Sequence, residues 1–182
     1  MAQQDIAAAL HRVRSVFQRR PEAGLHDDAP ATASWVQGTR VVARHAGGAE
    51  MATDMPAELG GSGDQVTPGW LFRAGLASCA ATSIVLNAAT EGLTLTALEV
   101  KASSRSDTRG LLGMADAGGA TVYAGPGEMR LHVKIAADGV APEQLRALVE
   151  TSLRQSPVPN AVDHATPLTL HIETGAGENL AN

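Results

Sequence analysis

The stretch Thr67-Pro68-Gly69-Trp70-Leu71-Phe72-Arg73-Ala74-Gly75-Leu76-Ala77-Ser78-Cys79 decides how this chain is read. Thr67 can cap the free N–H groups of a helix start, and Pro68 falls where a missing N–H costs nothing. From Trp70 to Glu91 the chain is rich in Ala, Leu and Ser; Arg73 and Glu91 are its only ionised residues, and Gly92 closes it. A helix apolar nearly all round belongs in the middle of a structure. Cys79 stands midway, and Phe72, Gly75, Leu76, Thr82, Ser83 and Leu86 share its face at helical spacing. Gly75 would let another backbone or side chain approach the sulfur. Cys79 is also the chain's one cysteine, so no two-cysteine redox cycle can close within one subunit. Such a thiol reads either as a small packed hydrophobe or as a nucleophile activated by a cation or helix terminus. The local pattern alone favours packing.

Upstream, Pro56-Ala57-Glu58-Leu59-Gly60-Gly61-Ser62-Gly63 is a glycine-dense loop suited to positive φ or close backbone approach. Before it, Thr32 to His45 carries Trp35, Val36, Val41 and Val42, and Glu50 to Met55 follows Gly47-Gly48, which predicts a hairpin turning at that pair. Ile6, Leu10, Val13 and Phe17 recur at helical spacing and predict an amphipathic helix over Asp5 to Arg19, its arginines near the C-terminal end. Pro21 and Gly24 stop it. Residues 1–31 therefore read as an N-terminal helix and a linker through Pro30.

Downstream, three segments alternate apolar and polar residues: Leu98 to Ala102, Met129 to Ile135, and Leu168 to Ile172. Each predicts a strand with one buried face, hence an antiparallel sheet and an α+β fold. Pro142 and Glu143 open a helix striped by Leu145, Leu148, Val149 and Leu153, and Ser156-Pro157-Val158-Pro159-Asn160 ends it. The glycine-rich Asp107 to Gly127 reads as an exposed loop, and residues 175–182 as a frayed tail.

The bulk composition bounds the rest. The 182 residues suit one core, and 44% apolar with 3% aromatic residues means a core of Ala, Val, Leu and Ile. So little burial per residue favours sharing a core with a second copy. A net charge of −5 argues against general nucleic-acid or anionic-membrane binding. No apolar run approaches the ~20 residues of a membrane span, and Met1 to Asp5 lacks the basic start and apolar stretch of a signal peptide. A lone cysteine suits a reducing compartment, so a soluble cytoplasmic protein is expected.

The order of segments carries more. A Pro-Glu-Leu-Gly-Gly-type loop, a Thr-Pro helix start, the run Leu71 to Cys79, two strands, a helix and Ser156-Pro157-Val158 together resemble the OsmC/Ohr family of osmotically induced and organic-hydroperoxide-resistance proteins. The resemblance covers residues 32–174 and leaves 1–31 as an addition. It implies an intertwined homodimer, antiparallel sheets wrapped around two long central helices. In active relatives the helix cysteine attacks an organic hydroperoxide and a second cysteine resolves the sulfenic acid. An arginine and a glutamate near the sulfur assist, and lipoylated proteins or small thiols reduce the disulfide.

Carried over by position, Cys79 matches the attacking cysteine, and this member lacks the second cysteine because Ser156 occupies the resolving position. Gly69 occupies the glutamate position. Arg40 and Arg44 lie in the hairpin that would bring the activating arginine, while Arg73 is about 120° off the Cys79 face. A sulfenic acid on Cys79 would then need an external thiol or climb the oxidation ladder.

Other signals add little. Of the six histidines no pair has metal-site spacing; His132 and His171 fall on polar strand faces, His26 sits in the linker, and His164 follows the Ser156 loop. No cofactor is called for. Gly110-Leu111-Leu112-Gly113 matches the GxxG loop of KH RNA-binding domains, but with an apolar centre in an acidic chain. Two functional expectations remain: weak thiol-dependent reduction of organic hydroperoxides at Cys79, or a non-catalytic dimer that binds a small apolar ligand in the same pocket.

Overall fold

A computed structural model describes residues 3–174; the tail expected at 175–182 lies outside the described residues. Helix α1, Gln3–Arg19, packs on α2, and a short 3-10 turn, Pro21–Gly24, follows it. Strands β1 (Ala31–Gln37), β2 (Arg40–His45) and β3 (Glu50–Thr53) form an antiparallel sheet in the order β1-β2-β3. The single strand expected over Thr32 to His45 is therefore two. The chain reverses at Gly38, whose φ of +54° suits glycine, so Trp35 pairs with Val41. The turn at Gly47-Gly48 is where the sequence places it, with Arg44 opposite Glu50.

The glycine loop contains a 3-10 turn, Ala57–Leu59, and Gly60 and Gly63 take positive φ. Gly61 is there for a different reason: a Cβ at that position would fall 1.7 Å from the Met55 carbonyl oxygen. The loop leads into α2, Pro68–Thr90, where the Thr67 side chain accepts a hydrogen bond from the Trp70 N–H as its cap. By length and composition alone, α2 is long and apolar enough to cross a membrane. This corrects the expectation that no segment approaches that length. It arises because small Ala, Ser and Thr residues keep a helix apolar without forming one long hydrophobic run. In the fold α2 packs against α1, β4, α4 and α5.

β4 (Leu95–Arg105) and β5 (Gly127–Ala137) pair antiparallel, bringing Leu98 opposite Ile135 and Val100 opposite Val133. Their apolar face, with Leu93 and Val149, packs on a core of Ile84, Ala88 and Leu148. Helix α4, Pro142–Arg154, buries Leu145, Leu148 and Ser152 against α2. Between the strands, the expected loop contains a one-turn helix α3, Thr108–Leu111, capped by Asp107, and a bridge between Ala115 and Thr121.

Two further expectations fail. Ser156 to Asn160 does not merely end α4: it starts α5, Pro157–Asp163, because a proline is well tolerated in a first helical turn. Leu168 to Ile172 forms no strand, and Leu168, Leu170 and Ile172 are 95%, 77% and 73% exposed. A strand exists only against a ladder partner, and the described part of the single chain offers this segment none.

Candidate thiol site

Cys79, half-buried on α2, meets the corner between α4 and α5. Its Sγ lies 3.3 Å from the Ser156 Oγ, and the Val158 backbone N–H donates to it at 3.5 Å. Ser156 is fully buried. As cap residue of α5 it makes no side-chain capping bond, so its hydroxyl is left to the sulfur. The two positions singled out in the sequence, 79 and 156, are thus in contact although 77 residues apart.

The other predicted positions are placed as follows. Gly69 lies in the first turn of α2, where a Cβ would sit 3.6 Å from Arg73 Nη1 and 3.9 Å from Thr67 Oγ1, ordinary contacts. Arg73 is half-buried and points to β4, where Nη1 donates to Ser104 Oγ at 3.4 Å. Gly75 faces open space rather than admitting a neighbour to the sulfur. Arg44 pairs with Glu50 at 2.8 Å across the first sheet.

Arg40 belongs to a separate polar cluster. Its Nη2 donates to Asp54 Oδ2 at 3.3 Å, to Ser62 Oγ at 2.8 Å and to Asp64. Asp54 is 4% exposed and also accepts from the Thr39 hydroxyl and from the Met55 and Ser62 N–H groups. The hydrogen bonds of Ser62 and Thr39 hold its carboxyl far below the ordinary value, although burial opposes this. Asp64 is lowered too, by Ser62 and then by Arg40. This clasp ties the first hairpin to the glycine loop, and neither arginine hydrogen-bonds to Cys79 within the chain.

Two cavities flank the site. One of about 490 Å³ is apolar and lined by Phe72, Tyr123, Pro126, Met129 and Val158, the last being the residue whose N–H meets the sulfur. The other, about 720 Å³, includes Leu76, one helical turn before Cys79, together with Leu153 and His164. His164 caps the end of α5, its Nδ1 3.1 Å from the Asn160 carbonyl. His132 and His171 are exposed, and His26 lies 3.5 Å from Asp28 in the linker. Gly110 is buried with Tyr123 and Ala124 backbone closing over it, and Leu111 and Leu112 are exposed. What sequence reasoning missed is Val158 as donor. Its signal was there: Ser156-Pro157 is a cap-and-first-turn pair, which leaves the next N–H free.

An α+β chain whose apolar central helix presents one thiol to the first turn of a second helix defines a class of thiol protein. A family profile described as "OsmC-like protein" matches residues 61–171, more than half of the chain, which therefore belongs to the OsmC-like family. Solved structures agree on the fold. An OsmC-like protein from Mycoplasma pneumoniae superposes with a TM-score of 0.64 at 17% identity, covering 78% of this chain and 91% of that one. An organic hydroperoxide resistance protein from Elizabethkingia anophelis, with thiocyanate bound, gives 0.59 at 24% identity and the same coverages. One assigned to the same activity in Vibrio cholerae, with captopril in one of its active sites, gives 0.51 at 26%, covering 78% and 89%. A search of curated proteins gave no match.

Proposed function

We propose that this protein is a one-cysteine thiol protein that reduces small organic hydroperoxides at Cys79, inside a homodimer in the cytoplasm. The observation that carries the reading is the contact of Cys79 Sγ with Ser156 Oγ and the Val158 N–H. At the sulfur meet one backbone donor, the Val158 N–H, and one hydroxyl, that of Ser156, which is able to donate to a thiolate. The apolar cavity beyond Val158 would take the organic part of the peroxide.

The chemistry balances with one thiol and one co-reactant. The Cys79 thiolate attacks the distal peroxide oxygen, the O–O bond breaks, and the alkoxide leaves as an alcohol after taking a proton. The sulfenic acid left on Cys79 cannot become a disulfide with Ser156. A small external thiol condenses with it, releasing water, and a second thiol frees Cys79 by exchange. Arg40 and Arg44 are the candidates for an activating cation, supplied across the dimer rather than within the chain. For Arg40 this requires release from Asp54 and Asp64.

The dimer reading has its own support. Among the described residues the β1-β2-β3 sheet makes no extensive contact with any helix, and Trp35 is 71% exposed. Trp70, Phe72 and Leu86 of α2 are also exposed. Residues 32–174 would form the shared fold, with 1–31 added to it.

The test is treatment with cumene hydroperoxide in the presence of a sulfenic-acid trap, with the adduct located by mass spectrometry. Modification of Cys79 supports the reading, and an unmodified Cys79 under conditions that oxidise a peroxidase of this type sinks it. The second reading, a non-catalytic dimer holding a small apolar ligand, is favoured by Gly69, which leaves no carboxylate at the start of α2. Under it, Cys79→Ser would leave ligand binding unchanged.

A further inference from the structure

We infer that Asn160 is the positioning residue of the thiol site: its side chain holds the α4–α5 corner so that Ser156 and Val158 meet Cys79. This rests on the reading of Cys79 as a reactive thiol and adds to it a residue that makes no hydrogen bond to the sulfur, although it lines the larger of the two cavities.

The argument begins with what fails to hold the corner. Helix α5 has 7 residues, too few to be stable by itself. Its cap, Ser156, makes no side-chain bond to the helix, because its hydroxyl faces Cys79 at 3.3 Å. Helix α4 ends just before, its last turn closed by short-range backbone bonds, the Gln155 N–H to the Ser152 carbonyl at 3.1 Å and the Ser156 N–H to the Leu153 carbonyl at 3.2 Å. Two helix ends, held by a few short-range backbone bonds, therefore meet at the place where the sulfur needs a fixed environment.

Asn160 adds side-chain bonds that span both ends. Its Nδ2 lies 3.2 Å from the Leu153 carbonyl oxygen, 3.0 Å from that of Arg154 and 2.8 Å from that of Ser156. The first two belong to the last turn of α4 and the third to the cap of α5. One amide, with two hydrogens to share among three acceptors, thus binds both helices together. Its own backbone continues the lock: the Asn160 N–H donates to the Ser156 carbonyl at 3.0 Å, and the His164 N–H donates to the Asn160 carbonyl at 2.9 Å. Both groups that reach Cys79 lie within four residues of this amide. Without it, Ser156 and Val158 are free to drift from the sulfur.

The single cysteine makes the test clean, because any thiol alkylation reports Cys79 alone. The rate of reaction with iodoacetamide is measured from pH 5 to 10 for wild type, Asn160→Ala and Asn160→Ser, with circular dichroism to confirm the fold. Losing a positioned hydrogen bond to the sulfur should slow alkylation near neutral pH by about fivefold and move the profile to higher pH. Asn160→Ser, which keeps one short donor, should fall between. A purely structural role would lower thermal stability and leave the pH profile in place, and that result overturns the proposal. If Asn160→Ala does not fold, Asn160→Ser decides: a profile identical to wild type overturns it. Alkylation uses no peroxide, so an inert Cys79 towards cumene hydroperoxide with a shifted profile would defeat the peroxidase reading and leave this one standing.

Discussion

At the scale of the residue, a serine hydroxyl stands at the sulfur, where the proposed function would need a second thiol for a disulfide. Ser156 is fully buried and 3.3 Å from Cys79 Sγ, within reach of a side chain of the same size carrying sulfur. Ser156→Cys should therefore let hydroperoxide convert both thiols into an intrachain disulfide, read as loss of two free thiols and a mass lower by two hydrogens. The wild type should lose one thiol and form no intrachain bridge; retention of both thiols in the variant would show that the sulfurs do not meet. Cys79 and Ser156 were both legible in the sequence, through one cysteine on an apolar helix and a Ser-Pro-Val in the right order. Val158 could have been inferred from the Ser156-Pro157 helix start, which frees its N–H, whereas Asn160 could not, because a corner-locking amide leaves no residue-type signature.

At the scale of the element, legibility followed the strength of local chemistry. Helix α2 was legible from Thr67, Pro68 and Gly92, and its ends lie within about two residues of the expectation. Strand β1 was run together with β2 because Gly38-Thr39 is a weak signal beside Gly47-Gly48. The α5 helix was hidden by two prolines that act here as a helix start. The clasp at Asp54 gives the hairpin and glycine loop a defined acid response. Its folded carboxyl titrates well below the ordinary value near 3.8, so the unfolded chain binds more protons as pH falls. That stability is complete above about pH 5 and lost progressively below pH 4. Asp54→Asn should lower the melting temperature at neutral pH and flatten its fall between pH 5 and 3; an unchanged slope would contradict the assignment. Gly61→Ala, which drives a methyl into the Met55 carbonyl, should cost on the order of 3 kcal/mol by chemical denaturation.

At the scale of the whole molecule, the proposed dimer rests on how much apolar surface the described chain leaves open. Few apolar residues are buried among those described, Leu76, Ile84, Leu145 and Leu148 being the large ones, while Trp35, Leu168, Leu170 and Ile172 stand in solvent. The alternation at Leu168 to Ile172 was legible, but the strand it predicts needs a partner that pairing within the described chain does not provide. Sedimentation should give a dimer, and Trp35→Asp with Leu170→Asp should weaken it into a less stable monomer; a wild type that sediments as a monomer would contradict the shared core. The central claim is narrower: Cys79, with Ser156 and Val158 at its sulfur, reacts with organic hydroperoxides and stops at the sulfenic acid until an external thiol arrives. The direct measurement is mass spectrometry of the protein exposed to cumene hydroperoxide with a sulfenic-acid trap. The account predicts a trapped adduct on Cys79 that disappears when a small thiol is added. An untouched Cys79 at peroxide levels that oxidise a related peroxidase would contradict it.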